Sequence, residues 1–593
     1  MLGRVRAFFD ERFGFAELMR QAYDEQIEGG PRWGYVFFNA FVVMFVVQAL
    51  TGALLMLTYT PEIGSAWSSV FYIQHRVTNG WFVRGMHAWG AQAMLLVLAM
   101  HMVQSVWYGA YKKPREGNFW VLLALLHLVL GALISGLRLP WDQLSYWALW
   151  VELNIAASMP VIGQPLYELI AGGPVLGQST LTRLYTIHVI VLPVIMFKMI
   201  FLMWWMKKKH GRALPEWVKP EGAGRAWPGQ WARDLVFVVG VLGAVAVVTA
   251  MVGGGAELES PADPYRDFPA RPEWFILPLF KLRKLFPASL EIVATAVIPG
   301  AIVIFFAALP FLDRKIADKP MARLKWVAPF AVLGLGLAAL TQMSYADDAA
   351  DEEYQESRAA ADVIRDRSIE LAGWGIPPEG PLAMLANDPM TRGREVYAQY
   401  CSSCHVLSRE GEREAPDHTG MGSRQWLIAL MHAPQDDHFF GLVDLDERMP
   451  RQNRRISDEE LEAIAELLYS WGREDQDPDD VDHELAESGR RKFESKCMSC
   501  HVYEGDGDFD GTGGPNLTGY GSRTWIFRQI DRPESETQYG ELNDMPAFND
   551  QLSPHDIRMA TAFLRLQRFE DIDFEPGDLE EAEPEAEADA EDE

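Results

Sequence analysis

The chain has 593 residues, 49% of them hydrophobic, and a formal net charge of -29. It is too long for one ordinary domain, and no nucleic-acid partner is expected of it. All four cysteines fall in two short repeats, which leaves none for a disulfide framework or a zinc site. In chain order, residues 1–32 alternate charge with aromatics and lack the apolar core of a cleavable signal, so they read as a short interfacial helix. Seven apolar runs then approach the roughly 20 residues that a bilayer crossing needs. They are Tyr35 to Tyr59, Met86 to Val106, Asn118 to Gly136, Leu184 to Met206, Leu235 to Gly253, Ser289 to Phe311 and Trp326 to Met343. A cytoplasmic N-terminus would place Lys112, Lys113 and Arg115, then Lys207, Lys208 and Lys209, then Arg314, Lys315 and Lys319 on the inner side, as the positive-inside bias requires. Everything after Met343 then lies on the outer, periplasmic side of a bacterial inner membrane. Residues 344–385 and 571–593 are acidic and poor in apolar residues, and are expected to be a solvated linker and a disordered tail. A docking surface for a basic electron carrier is the second reading of these stretches.

The outer half carries a duplicated module. "CSSCH" runs from Cys401 to His405 and "CMSCH" from Cys497 to His501. In C-x-x-C-H, two thiols add to haem vinyl groups and the adjacent histidine ligates the iron. The surroundings repeat as well: "DHTGMGSRQW" and "RMPRQ" follow the first copy, "NLTGYGSRTW" and "DMPAF" the second. Met449 and Met545 each stand 44 residues after their histidine, where a thioether could fill the sixth iron position. Met421 and Met431 compete nearby but have no counterparts in the second copy. The expectation is two small α-helical modules, residues 386–475 and 484–570, each with one covalent haem c on Cys401, Cys404 and His405 or on Cys497, Cys500 and His501.

Ionisable residues within a span imply function, because lipid cannot solvate them. His87 and His101 are fourteen residues apart, nearly four helical turns, and so share a face at two depths. Two stacked haems would fit that spacing, with His188 partnering His87. His127 and Lys198 are further intramembrane polar groups, open to pairing with His101 or a quinone and equally to ordinary helix contacts or snorkelling.

At this point the sequence resembles the cytochrome b subunit of quinol:cytochrome c oxidoreductase (Rieske/cytochrome b) complexes. The resemblance covers roughly Trp33 to Met343 and rests on "QALTGALL", "GWFVRGMHAWGA", "KKPRE", "LPWDQLSYWA", "PVIGQPL", "PADPYRDFPARPEWFILP" and "KLRKLFP" in order. It implies an all-α fold: a four-helix haem bundle over 33–230 and a three-helix part over 231–343. Seven spans, with Pro193 five residues after His188, resemble the photosynthetic type with its small partner subunit fused on. No cysteine precedes Cys401, which excludes the extra covalent haem of those relatives. "PEWF" corresponds to the family's quinol-oxidation loop, where Glu273 would accept a proton from quinol. The family's tyrosine is Phe275 here, so a hydroxyl is lost.

The family also backs each b haem with glycines, fourteen residues apart on the first and third spans. At the outer depth the set is complete: Gly52, Gly136, His87 and His188, with Arg84 for a propionate. At the inner depth Phe38, Leu122 and Gln104 stand where two glycines and an arginine belong, and Met203 replaces the second histidine. His210 is too far along its helix to substitute. Either the inner haem is absent, its volume filled by side chains, or His101 and Met203 hold it.

The expected protein is therefore a membrane electron-transfer subunit that oxidises quinol on the outer side and passes electrons to its own c haems. A soluble cytochrome c or terminal oxidase would follow. The chain lacks an iron-sulfur motif, so a separate Rieske protein is an expected partner, with membrane lipid, the quinone pool and a homodimeric complex. The alternative is a haem relay and membrane anchor that links the pool to another oxidoreductase without quinol:cytochrome c turnover.

Overall fold

The computed structural model describes residues 23–219, 222–408, 410–412, 414–442, 449–452, 454–473, 480–504, 514–540 and 543–569, with a few isolated positions before residue 23. The expected N-terminal helix lies largely outside these residues and the acidic tail wholly so. Two compact units divide the chain, Met1–Leu382 and Ala383–Glu593.

Among the described residues, the first unit contains seven helices long and apolar enough to cross a membrane, in the order expected: Trp33–Met56, Gly80–Tyr108, Glu116–Leu137, Gln178–His210, Gly229–Met251, Val293–Leu312 and Pro320–Ala350. The helices used below are α1 (Val36–Met56), α2 (Gly80–Tyr108), α3 (Glu116–Leu137), α4 (Gln143–Ala157), α5 (Gln178–Thr186), α6 (Leu192–His210), α7 (Gly229–Met251), α8 (Ile298–Leu312), α9 (Leu324–Ala350) and α10 (Glu352–Trp374). α2 is central and packs on α1, α3, α7 and α9. Phe41, Met44, Leu98, Leu125 and Val129 fill the bundle core. α1 is apolar nearly all round, as a helix facing core on one side and lipid on the other must be.

Two local features position functional side chains. The fourth span is interrupted: between α5 and α6 lies a π-helical turn, Ile187–Val191, and Pro193 sits at the start of α6. A π-turn inserts an extra residue and re-aims what it carries, here His188. At the end of α3, Asp142 of the "PWDQ" stretch caps α4. It accepts from Ser145 N at 2.9 Å and, through its other oxygen, from Glu259 N at 3.0 Å.

Residues 344–385 correct the expectation of a solvated linker. α9 continues to Ala350 and α10 occupies Glu352–Trp374. Two of the segment's acidic residues have basic partners remote in sequence, Asp348 with Arg271 at 2.8 Å and Asp347 with Lys281, and its Arg358, on α10, pairs with the distant Glu259 at 2.5 Å. Ala361, Ser368, Leu371 and Ala372 are buried along one side of α10. Charge alone mispredicted the segment because its counter-charges lie far away in sequence, Arg271 just before "PEWF" and Lys281 in the short helix Leu277–Lys284 after it.

The second unit holds both C-x-x-C-H repeats. Its helices are α11 (Arg394–Tyr400), α12 (Arg424–His432) and α13 (Asp458–Trp471) in the first repeat, and α14 (His483–Lys496), α15 (Arg523–Asp531) and α16 (Pro554–Leu566) in the second. The shared "GSRxW" motif has a local explanation in each copy. Ser423 and Ser522 cap α12 and α15, while the Trp426 and Trp525 indoles donate back to the carbonyls of Asp417 and Asn516 at 3.1 and 2.9 Å.

The repeats do not close on themselves. α13 of the first packs on α14 of the second, and α11 with the turn before it packs on α16. Glycines permit both approaches: a Cβ on Gly489 would lie 1.9 Å from Ala463 O, and one on Gly393 would lie 2.3 Å from Met559 O. Aromatic contacts seal the same joints, Trp471 against Phe493 and Phe563 against Tyr397, with ring centres 5.3 and 5.8 Å apart.

Candidate haem and quinol sites

α2 and the π-turn present His87 and His188 to each other with ring centres 6.1 Å apart. Two imidazoles bound to one metal through bonds of about 2 Å would stand at roughly that separation. Each Nδ1 is engaged by protein, His87 with Thr51 Oγ1 at 2.9 Å and His188 with Ala132 O at 3.0 Å and Ser135 Oγ at 3.2 Å. Those bonds fix the rings and leave each Nε2 for a metal. Gly52 and Gly136 floor the pair: added Cβ atoms would lie 3.0 Å from His87 Cε1 and 2.5 Å from His188 Cε1. The four residues fit a bis-histidine haem b. Arg84, expected to serve a propionate, has its guanidinium held by Gln74 and by the carbonyls of Ala256 and Glu257.

At the depth of His101 the arrangement differs. His101 Nδ1 bonds to Gln104 Oε1 at 3.0 Å, and the Phe38 ring lies 5.7 Å from the imidazole, centre to centre. Leu122 is buried in the core, and the Met203 sulfur accepts from Asn118 Nδ2 at 3.5 Å. Side chains from α1, α2, α3 and α6 thus meet here, and the sulfur is turned to an amide. His127 is satisfied locally by the Leu123 carbonyl at 2.8 Å.

Glu273 of "PEWF" is not a free surface carboxylate. Arg138, fully buried just past α3, donates Nη1 to Glu273 Oε1 and Nη2 to Glu273 Oε2, both at 2.8 Å, and Nη2 also reaches Glu152 Oε1 of α4 at 2.7 Å. Burial works against the Arg138 cation, but Glu152 and Glu273 outweigh it and hold the proton. Burial pushes the Glu152 carboxyl above its usual range, Arg138 opposes this and Glu273 adds to it. Glu152 Oε2 is buried and has no hydrogen-bond partner among the described residues. Sequence reasoning missed both Arg138 and Glu152. The position of a lone arginine between an apolar span and "LPWDQ" is the one sequence signal that could have flagged Arg138, and nothing in the sequence marks Glu152.

In the second unit, α11 and α14 end at Cys401 and Cys497, and the next turns carry the remaining ligand residues. His405 Nδ1 donates to Pro416 O at 2.7 Å and His501 Nδ1 to Pro515 O at 3.0 Å, leaving both Nε2 atoms available. These residues fit covalent haem attachment with histidine ligation. His418, not singled out from the sequence, stacks on His405 with ring centres 4.0 Å apart and is tied to the Tyr397 hydroxyl at 3.1 Å. Met449 and Met545 are half-buried, each beside an apolar core.

Similarity to known proteins covers both halves of the chain. Residues 92–258 match the family described as cytochrome b (N-terminal)/b6/petB, and residues 388–468 and 484–564 each match cytochrome c oxidase, cbb3-type, subunit III. The menaquinol:cytochrome c reductase cytochrome b subunit of Bacillus subtilis (strain 168) is 36% identical over 224 residues, 36% of this chain and 100% of that protein. Cytochrome b of Allochromatium vinosum is 29% identical over 360 residues, 56% of this chain and 84% of the relative. A solved structure, "Hyperthermophilic respiratory Complex III", superposes with a TM-score of 0.51 at 25% identity, over 57% of this chain and 91% of that one.

Proposed function

Because the chain belongs to the cytochrome b family and carries two cytochrome c repeats after its membrane part, we propose that it is the quinol-oxidising electron-transfer subunit of a Rieske/cytochrome b type complex. When bound, one haem b and two haems c supply one-electron redox capacity. His87 and His188 would hold the first; Cys401, Cys404, His405, Cys497, Cys500 and His501 would hold the others, with Met449 and Met545 as the sulfur ligands. The family's Rieske partner in trans would take one electron of each quinol, and a periplasmic carrier or terminal oxidase would receive electrons from the c half. A homodimer on the inner membrane, with the N-terminus cytoplasmic and the c repeats periplasmic, completes the proposal.

The observation that carries it is the linkage of Glu273 to the haem pocket. Arg138 stands two residues beyond Gly136, which lies against His188, and grips the carboxylate expected to take a proton from quinol. Glu273 can accept that proton only by loosening from Arg138, and Glu152 stays behind as the guanidinium's counter-charge. Proton uptake is thereby coupled to a side-chain movement toward water.

At the depth of His101 we propose that no second haem is held. Phe38 beside the imidazole, Leu122 in the core and Met203 turned to Asn118 support this reading. The same filling favours the second reading, a relay and anchor without quinol:cytochrome c turnover. Quinol-dependent reduction of cytochrome c by the purified complex, blocked by inhibitors of the outer site, separates the two. Turnover supports the enzyme; its absence with a Rieske partner present overturns it.

A further inference from the structure

The two repeats exchange more than helices. Cys401 lies in a core with Trp525, Ile526, Phe548 and Phe563, all from the second repeat, and Met545 packs against that core. Phe493, Tyr503 and Leu517 of the second repeat lie in the other core with Trp426, Ile464 and Trp471 of the first, and both Cys497 and Met449 pack against it. Each attachment motif thus shares its apolar surroundings with the methionine of the opposite repeat. We propose that the two haem c pockets are crossed: Met545 serves the haem on Cys401, Cys404 and His405, and Met449 serves the haem on Cys497, Cys500 and His501.

The inference rests on the reading that both haems take histidine and methionine, and it reassigns only which methionine goes where. Its physical basis is that a haem is enclosed by the side chains of one core, and a thioether ligand must project from the wall of that enclosure. The joints that build the cores are specific. Gly393 and Gly489 admit the opposite repeat's helix at distances no Cβ would allow, and Arg392 pairs with Asp556 across one joint at 2.7 Å. Met421 and Tyr520 border both cores, so the two enclosures adjoin. The exchange makes the c half a single folding unit in which neither repeat completes its site alone.

The test uses the full-length chain in its complex. Cys497→Ala with Cys500→Ala leaves one covalent haem, on Cys401 and Cys404. In that background Met545→Ala is expected to abolish the sulfur-to-iron charge-transfer band of the oxidised haem and lower its midpoint potential, while Met449→Ala leaves both unchanged. The reciprocal background, Cys401→Ala with Cys404→Ala, is expected to reverse the two methionines. Loss of the band with the methionine of the same repeat overturns the crossing but keeps histidine and methionine ligation. A band untouched by either substitution overturns the ligation reading itself. If the one-haem chains do not accumulate, a cryo-EM map of the haem-loaded complex decides directly: Met545 sulfur at the iron of the Cys401 haem supports the crossing, and Met449 there overturns it.

Discussion

Arg138 and Glu273 form a two-pronged ion pair, Nη1 to Oε1 and Nη2 to Oε2, each at 2.8 Å, with the arginine fully buried. The fork geometry suits a planar guanidinium and no other cation. Glu273→Gln removes the acceptor, and quinol oxidation is expected to fall by about 100-fold or more, read as kcat in the cytochrome c reduction assay. Arg138→Lys keeps the charge but loses the fork, so it should retain a fraction of the activity.

Removing the cation altogether has a structural cost. Arg138→Ala leaves Glu152 and Glu273 facing each other in a buried site without a counter-charge, which should destabilise the membrane unit by roughly 3–5 kcal/mol. Thermal unfolding of the detergent-solubilised complex reads this directly. Glu152→Gln in the same background should recover part of the loss, because one of the two buried charges is gone.

The haem b pocket predicts a selective pattern. Gly136→Val places side-chain atoms where the His188 ring already stands, since even a Cβ would lie 2.5 Å from Cε1. Gly136→Val, His87→Ala and His188→Ala should each abolish haem b. His101→Ala should leave the haem b content unchanged. Pyridine haemochrome spectra check this, with an expected ratio of one b to two c in the unmodified chain; two b to two c would restore the inner haem.

The joint between α13 and α14 is tight enough to be broken by one residue. Gly489→Val would press side-chain atoms on the Ala463 carbonyl, and overpacking of this kind should cost about 3 kcal/mol or more. Because the repeats share their cores, the loss should appear at both c haems together. Differential unfolding followed at the two haems would show one coincident transition that shifts as a whole.

Asp556 gives the c unit an acid-sensitive contact. Burial works against its ionisation, but hydrogen bonds from Arg392 and Ser553 outweigh it and hold the carboxyl below its usual range. A depressed folded-state pKa contributes stability above the unfolded value of about 4, and that contribution is lost as the pH falls through the lower folded value. Asp556→Asn should therefore lower Tm at neutral pH and flatten its acid dependence in that window.

Much of this molecule was legible in its sequence. The seven spans, both attachment motifs and the pairing of His87 with His188 follow from periodicity and spacing, while the glycines beside that pair were implied by the resemblance to the cytochrome b family. The exchange of helices was not legible, because the repeats place matching glycines at 393 and 489 and aromatics at 397 and 493, so either pairing buries the same kind of face. Arg138 escaped because a single arginine after an apolar run reads as the end of a span, and only folding brings Glu152 and Glu273 to it. The acidic stretch after Met343 was misread for the same reason, its partners Arg271 and Lys281 being about 70 residues away in sequence.

The most direct measurement is the redox state of the chain's own c haems when quinol is added anaerobically to the purified complex, Rieske partner present and no external cytochrome supplied. Reduction of both c haems, slowed strongly by Glu273→Gln, is the expected result. Persistently oxidised c haems, with quinol consumed or not, would contradict the assignment of this chain as a quinol-oxidising subunit that feeds its own c haems.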